Sequence, residues 1–398
     1  MSRNAYRVFS EGNIANLRLK NRFVRSAAYE AAMTQDGKVT DGILALYKNL
    51  SQGGVGMIIT GNMAVMPEGK VAHKQACIWN DGHIDEIAKI AAVVHDTKAD
   101  CMILAQLAHG GARGLLDIDS VGPSAVFSPV LQKSVKALSA DEIRNIIKCF
   151  SEAIARVRNA GFDGVQLHAA HGYLLSSFFS PYTNRRTDHF GGSIQNRVNI
   201  IREIVSSARG NVGDFPLLIK MNCDDFVEGG INRDTFPELA LEVENAGVDA
   251  IEVSGTMLDC LARSEEELGF FPLPVPSSRT RINTRDKQSY FLSYAEKLNL
   301  SIPVILVGGN KNVAYLEKIM GEGKVAFIAL CRPLICEPNL PNRWFEGQGG
   351  ENSECLSCNL CFLTLKEGPL HCLVKKNKLK HKDVEKMTPY LWKLLPDR

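Results

Sequence analysis

Eight short apolar runs, rich in β-branched residues, recur along this chain at 22–27, 55–60, 101–107, 164–168, 217–221, 250–254, 304–308 and 325–330. Several are apolar almost throughout, as strands buried on both faces of a parallel sheet should be. Amphipathic segments separate them. In 141–160, Ile143, Ile146, Ile147, Phe150, Ile154 and Val157 keep helical spacing. Ser139 can cap that helix, and Glu142, three residues on, completes a capping box. Asn159-Ala160-Gly161 and Asn245-Ala246-Gly247 each end a helix on Gly before another strand. Eight strand–helix repeats are the count that closes a (β/α)8 TIM barrel, an α/β fold, with an open doubly wound sheet as the alternative. The expected division is a barrel over 1–350 and a short Cys-rich extension over 351–398.

Composition narrows the function classes. Lys and Arg number 46 against 44 Asp and Glu, so the net charge of +2 gives no electrostatic reason to expect a nucleic-acid partner. No apolar run approaches the ~18 residues of a membrane span, and the first residues lack the apolar core of a signal peptide. A cytoplasmic protein with no membrane partner is expected. Of 11 cysteines, seven are scattered singly (Cys77, Cys101, Cys149, Cys223, Cys260, Cys331, Cys336), which reads as buried thiols in a reducing compartment.

Two stretches interrupt the alternation. Residues 256–290 follow the sixth run and carry Pro272, Pro274, Pro276, Arg279, Arg281 and Arg285. A loop this long is usually functional, and in a barrel it opens on the catalytic face. Its arginines could meet an acidic substrate, but solvation is the simpler expectation. The Lys-rich end (Lys375, Lys376, Lys378, Lys380, Lys382) reads as a solvated surface helix.

The densest chemical signal is His168-Ala169-Ala170-His171-Gly172-Tyr173 at the end of the fourth run, a donor-rich cluster. Two His three apart could ligate a metal, yet no carboxylate or third His lies near them in sequence. A polar cap without chemistry is the bland alternative. Gly308-Gly309 after the seventh run, with Cys331-Arg332 after the eighth, falls where barrels place a phosphate site.

The stretch from His168 to Arg197 closely resembles the Old Yellow Enzyme family of FMN-dependent NADH:flavin oxidoreductases. So do 21–26 (NRFVRS), 53–60 (GGVGMIIT), 105–111 (AQLAHGG) and 307–309 (VGG). The resemblance covers roughly 5–345. It implies FMN as cofactor, NAD(P)H as reductant and a small electrophilic substrate. Matched residue by residue, it implies Lys220 facing N1/O2 of the flavin, Gln106 on the pyrimidine edge, and Ser26, Ala27, Ala28 and Gly61 lining the ring. Gly308, Gly309, Cys331 and Arg332 take the phosphate, His168 and His171 bond the substrate oxygen, and Tyr173 is the general acid. Many relatives have Arg where this chain has Lys220, Gly where it has Cys331, and Cys or Thr where it has Tyr29 or Ala28. That last departure excludes a cysteinyl-FMN link.

Cys355-x2-Cys358-x2-Cys361-x10-Cys372 is a soft-metal spacing. It resembles the [4Fe–4S] segment of dienoyl-CoA reductase and trimethylamine dehydrogenase, including Cys358-Asn359 and Cys372-Leu373-Val374, though those relatives have one more residue between the second and third cysteines. Iron–sulfur, zinc or a metal-free remnant all stay open. The relatives also continue into a nucleotide-binding domain, so within this sequence a cluster would lack an electron donor. The expected function is an FMN-dependent oxidoreductase, an ene-reductase. Two alternatives stand beside it. One is a component of a larger iron–sulfur flavoprotein system acting on an acyl-CoA or amine, with a flavoprotein partner. The other is a non-redox phosphate-binding barrel. A homo-oligomer is compatible with either.

Overall fold

The computed structural model describes residues 5–115, 119–272, 275–366 and 368–387. Pro274 and the final part of the expected extension, 388–398, lie outside them. Eight parallel strands close into a barrel: Phe23–Arg25, Met57–Ala64, Met102–Ala108, Gly164–Ala169, Leu217–Asn222, Ala250–Ser254, Val304–Leu306 and Phe327–Leu330. Closure is made by Phe327–Leu330 pairing with Phe23–Arg25, which also pairs with Met57–Ala64. The TIM-barrel expectation holds, and with it all eight expected runs.

The helices Asp41–Gln52, Ile84–His95, Ala140–Asn159, Ile194–Val212, Phe236–Asn245 and Val313–Gly321 follow successive strands around most of the barrel. Ala140–Asn159 carries the expected capping box in both directions: Glu142 N–H donates to Ser139 Oγ (3.2 Å) and Ser139 N–H donates to the Glu142 carboxylate (2.7 Å). Its face of Ile143, Ile146, Ile147, Phe150, Ile154 and Val157 is buried in the layer between helices and sheet. None of the described helices is long and apolar enough to cross a membrane.

Strand alternation builds the barrel interior in storeys. The lower storey is apolar: Val24, Met57, Ile59, Leu104, Leu218, Ala250, Ile305 and Phe327 form one buried cluster. The hairpin Gly12–Ile14/Leu17–Leu19 adds Ile14, Leu17 and Leu19 to that cluster. Two residues further along each of three strands, the inward positions become Gln106, Lys220 and Glu252. The register sets Gln166 beside Gln106, and Lys220 between His168 and Glu252. A polar storey therefore sits on an apolar plug, at the C-terminal ends of the strands.

The 256–290 loop contains the short helical turns Leu258–Ala262, Glu265–Leu268 and Arg285–Lys287. Its arginines depart in part from the expected solvation. Arg279 is half-buried in an aromatic box, 3.9 Å from the centroid of Phe270 and 4.5 Å from that of Tyr290. Arg281 and Arg285 are exposed, as expected. The Lys-rich segment forms two short helices, Leu373–Lys376 and His381–Met387, rather than one.

Candidate active site

A cavity of about 760 Å³ opens above the polar storey. Its wall includes Ser26, Ala27, Ala28, Gln106, His168, His171, Tyr173, Lys220, Gly308, Gly309, Cys331 and Arg332, so twelve of the thirteen expected catalytic and cofactor residues meet there. Gly61 is the exception. The second strand is irregular between Ile59 and Asn62. There the Gly61 amide donates to Glu30 Oε1 (2.7 Å), and a side chain on Gly61 would strike the same carboxylate. Gly61 makes room for Glu30 and borders no part of the cavity.

The floor is one connected network. Gln106 Nε2 donates to Gln166 Oε1 (2.7 Å), and Gln166 Nε2 donates to Glu252 Oε2 (2.7 Å). Ser26 Oγ donates to Glu252 Oε1 (2.5 Å), while Lys220 Nζ reaches Ser26 Oγ (2.8 Å) and Glu252 Oε1 (3.2 Å). Lys220 and Glu252 are both buried, and removing either would leave the other charge unpaired. Lys220 also lines the cavity, so its charge faces any guest there. A second buried pair braces the wall: Arg25 bonds Glu30 (3.1 Å) and the Ile59 carbonyl (2.7 Å), and Tyr47 also donates to Glu30. This pair fixes the turn that presents Ser26, Ala27 and Ala28. Tyr29, beside them, has its phenol pushed up to about 12 by burial.

His168 and His171 stand edge to face, ring centroids 5.2 Å apart, with Tyr173 4.5 Å from His168. Ala170 N–H points at His168 Nδ1 (3.4 Å), which leaves Nε2 as the N–H. His171 Nε2 meets Ser254 Oγ (2.8 Å), and its backbone N–H donates to Asn222 Oδ1 (3.0 Å). Asn222 is held in turn by Asp225 (2.8 Å). Burial, with Lys220 and Arg113 nearby, holds both imidazoles well below their ordinary range, so both are neutral. Arg113 donates to the His171 carbonyl (2.6 Å) and lies 4.8 Å over the Tyr173 ring.

At the opposite end, Gly308 and Gly309 have φ of +110° and +76°, and side chains there would strike the Tyr290 ring. Apart from Glu252 in the floor network, no carboxylate among the described residues borders the cavity, whereas Lys74, Arg113, Lys133, Lys220, Lys311, Arg332 and Lys366 do. The wall suits an anion-bearing guest. Leu258, Val275, Ser277, Ser278 and Tyr290 bring in the 256–290 loop, and Phe362, Leu363, Leu365 and Leu370 the Cys-rich extension.

The four expected metal ligands, Cys355, Cys358, Cys361 and Cys372, border one small cavity of about 40 Å³, joined by Cys336. Among the described residues, however, no group of three or more His, Cys, Asp or Glu is arranged to hold a metal ion. Cys336 lies against Cys372 and lowers its thiol to about 6, while burial pushes the thiols of Cys355, Cys358 and Cys361 up. Of the three readings left open, neither iron–sulfur nor zinc is supported by the described residues.

Glu252, Gln166, Asn222, Ser254 and Arg113 escaped the sequence reading. Glu252 carried a signal, a lone acid within an otherwise apolar buried run. Fold and site together define a (β/α)8 barrel with a cation-rich pocket over the strand C-termini. Residues 8–349 match the family model of the NADH:flavin oxidoreductase / NADH oxidase family. The chain is 34% identical to an NADH oxidase of Thermoanaerobacter brockii over 89% of its own length and 53% of that protein's. It is 31% identical to an NADPH dehydrogenase of Bacillus subtilis, over 84% of this chain and 93% of that one. A 2-naphthoyl-CoA reductase structure in complex with 2-naphthoyl-CoA shares the fold, with a TM-score of 0.82 at 24% identity over 92% of this chain and 56% of that one. The chain belongs to the NADH:flavin oxidoreductase / NADH oxidase family, and the resemblance to Old Yellow Enzymes is borne out. It spans about half the length of the first curated relatives it matches.

Proposed function

We propose that this chain is an FMN-dependent oxidoreductase that takes hydride from NAD(P)H and delivers it to an activated C=C bond in an enone, enoate or related electrophile. One observation carries the reading: the Gln106–Gln166–Glu252–Ser26–Lys220 network floors a cavity whose wall also carries two neutral imidazoles and a phenol. The donor set fits flavin mononucleotide. Lys220 would hold the side of the ring that turns anionic on reduction, Gln106 its edge, and Ser26, Ala27 and Ala28 would lie along it. Gly308 and Gly309, with no side chain to block backbone approach, would take the phosphate with Cys331 and Arg332.

When bound, FMN supplies a ring that accepts and gives up a hydride. His168 and His171 donate hydrogen bonds to the carbonyl or nitro oxygen of the electrophile, which stabilises the charge that develops as hydride adds to the β carbon. Being neutral, they do so without adding to the cationic wall. Tyr173 gives its phenolic proton to the α carbon, so the alkene gains one hydride and one proton. Arg113 steadies Tyr173 and His171 together. Anaerobic stopped-flow tests the reading. NADH or NADPH should bleach the flavin, and one of a panel of enones, nitro compounds and enoyl-CoA thioesters should recolour it. Flavin that neither nicotinamide reduces would contradict it.

A further inference from the structure

Asn359 belongs to the cysteine segment, yet its side chain serves the barrel. It is 1% exposed at φ +61°, a conformation Asn tolerates better than most side chains. Its Oδ1 accepts from Arg332 Nη1 (2.7 Å) and from Ser278 Oγ (3.1 Å), and its Nδ2 donates to the Ser278 carbonyl (2.5 Å). Arg332 borders both the large cavity and the small cysteine-lined one. Among the described residues it pairs with no carboxylate. Lys311 clips the same segment to the barrel through the Cys355 carbonyl (2.7 Å). The cysteine segment is thus fastened at the end of the cavity where Gly308, Gly309 and Arg332 converge.

We propose that Asn359 is a positioning residue for phosphate recognition, holding one edge of the Arg332 guanidinium so that its remaining N–H groups face the cofactor phosphate. The inference rests on the FMN reading above. A guanidinium has five N–H donors in a planar fork, so one fixed edge orients the rest. An amide is the suitable holder because it accepts without cancelling the charge, whereas a carboxylate would compete with the phosphate. Ser278 locks the amide from both sides, so the side chain is already ordered before the anion arrives. The segment thereby links the cysteine loop to cofactor affinity whatever the thiols hold.

Fluorescence titrations of the apoprotein with FMN and with riboflavin, which lacks the phosphate, test this. Asn359→Ala should weaken FMN about tenfold, the scale of one charge-assisted hydrogen bond, and leave riboflavin within about twofold. Asn359→Asp, similar in size and tolerant of the same φ, should weaken FMN further while riboflavin is retained. With Arg332→Ala already present, Asn359→Ala should cost nothing more. Equal weakening of both flavins, additivity with Arg332→Ala, or unchanged FMN affinity in folded variants would overturn the proposal. If Asn359→Ala fails to fold, the Asp variant decides by the same comparison. Wild-type protein that binds neither flavin, or does not prefer FMN, would sink the FMN reading and this inference together. A wild-type preference that survives in every Asn359 variant sinks the inference alone.

Discussion

Tyr173 sits at the N-cap of the Leu174–Phe179 helix, with Arg113 over one face of its ring and His168 beside it. Its phenol is assigned to the proton and not to the hydride, so the two half-reactions should separate. Tyr173→Phe should slow electrophile reduction about 10²-fold, as loss of a general acid does, and leave flavin reduction by NAD(P)H within about twofold. Equal loss in both would remove the assigned role. At this scale His168 and Tyr173 were legible as a donor cluster at the end of an apolar run, whereas Gln106 and Lys220 were legible only through the family resemblance. Glu252 was not: its pairing with Lys220 depends on neighbouring strands in register, and no local sequence window contains both. Cys336 was read as a scattered thiol because 36 residues separate it from Cys372, and only the fold brings the two together.

Among the elements, the capping box of Ala140–Asn159 offers the cleanest check on local physics. Ser139 is exposed and does not line the cavity, so Ser139→Ala should cost about 1 kcal/mol in denaturant unfolding without changing flavin affinity. A loss of flavin affinity would show the helix coupled to the site in a way its position does not suggest. The turn after the seventh strand behaves oppositely. Gly308→Ala places a methyl group 2.6 Å from the Tyr290 ring on a backbone at φ +110°, so it should lose both stability and FMN affinity. Normal FMN titration of this variant would remove the turn from the phosphate site. The strands were legible in existence and order, less so in extent. The second was expected to end at 60 but runs to Ala64, past an irregularity centred on Gly61 that the Arg25–Glu30 pair stabilises. Of the three loop arginines only Arg279 departs from expectation, for a similar reason. Arg279 finds its aromatic partners on separate segments, at Phe226, Phe270, Tyr290 and Phe291, which charge patterning alone does not reveal.

For the molecule as a whole, the buried histidines set the acid limit. Burial lowers His109 to about 4 and holds His168 and His171 well below the ordinary imidazole range. Unfolding returns them to about 6.5, so below that pH the unfolded chain binds protons that the folded chain refuses. Stability should be full above about pH 6.5 and fall as the pH drops toward 4, with His109 alone contributing on the order of 3 kcal/mol. Denaturant midpoints that stay level between pH 7 and pH 5 would show these rings accessible to protons. The barrel was legible because eight buried strands leave a periodic trace. The cysteine segment was legible as a motif but not as a structure: its thiols are not arranged as metal ligands, and its Asn359 is engaged with Arg332. By this reading the polar storey above the apolar plug holds one flavin. Titrating the apoprotein with FMN while following quenching of the flavin fluorescence tests it directly. One FMN per chain, bound more weakly after Lys220→Met, is the predicted result; fluorescence that falls with neither protein would contradict it.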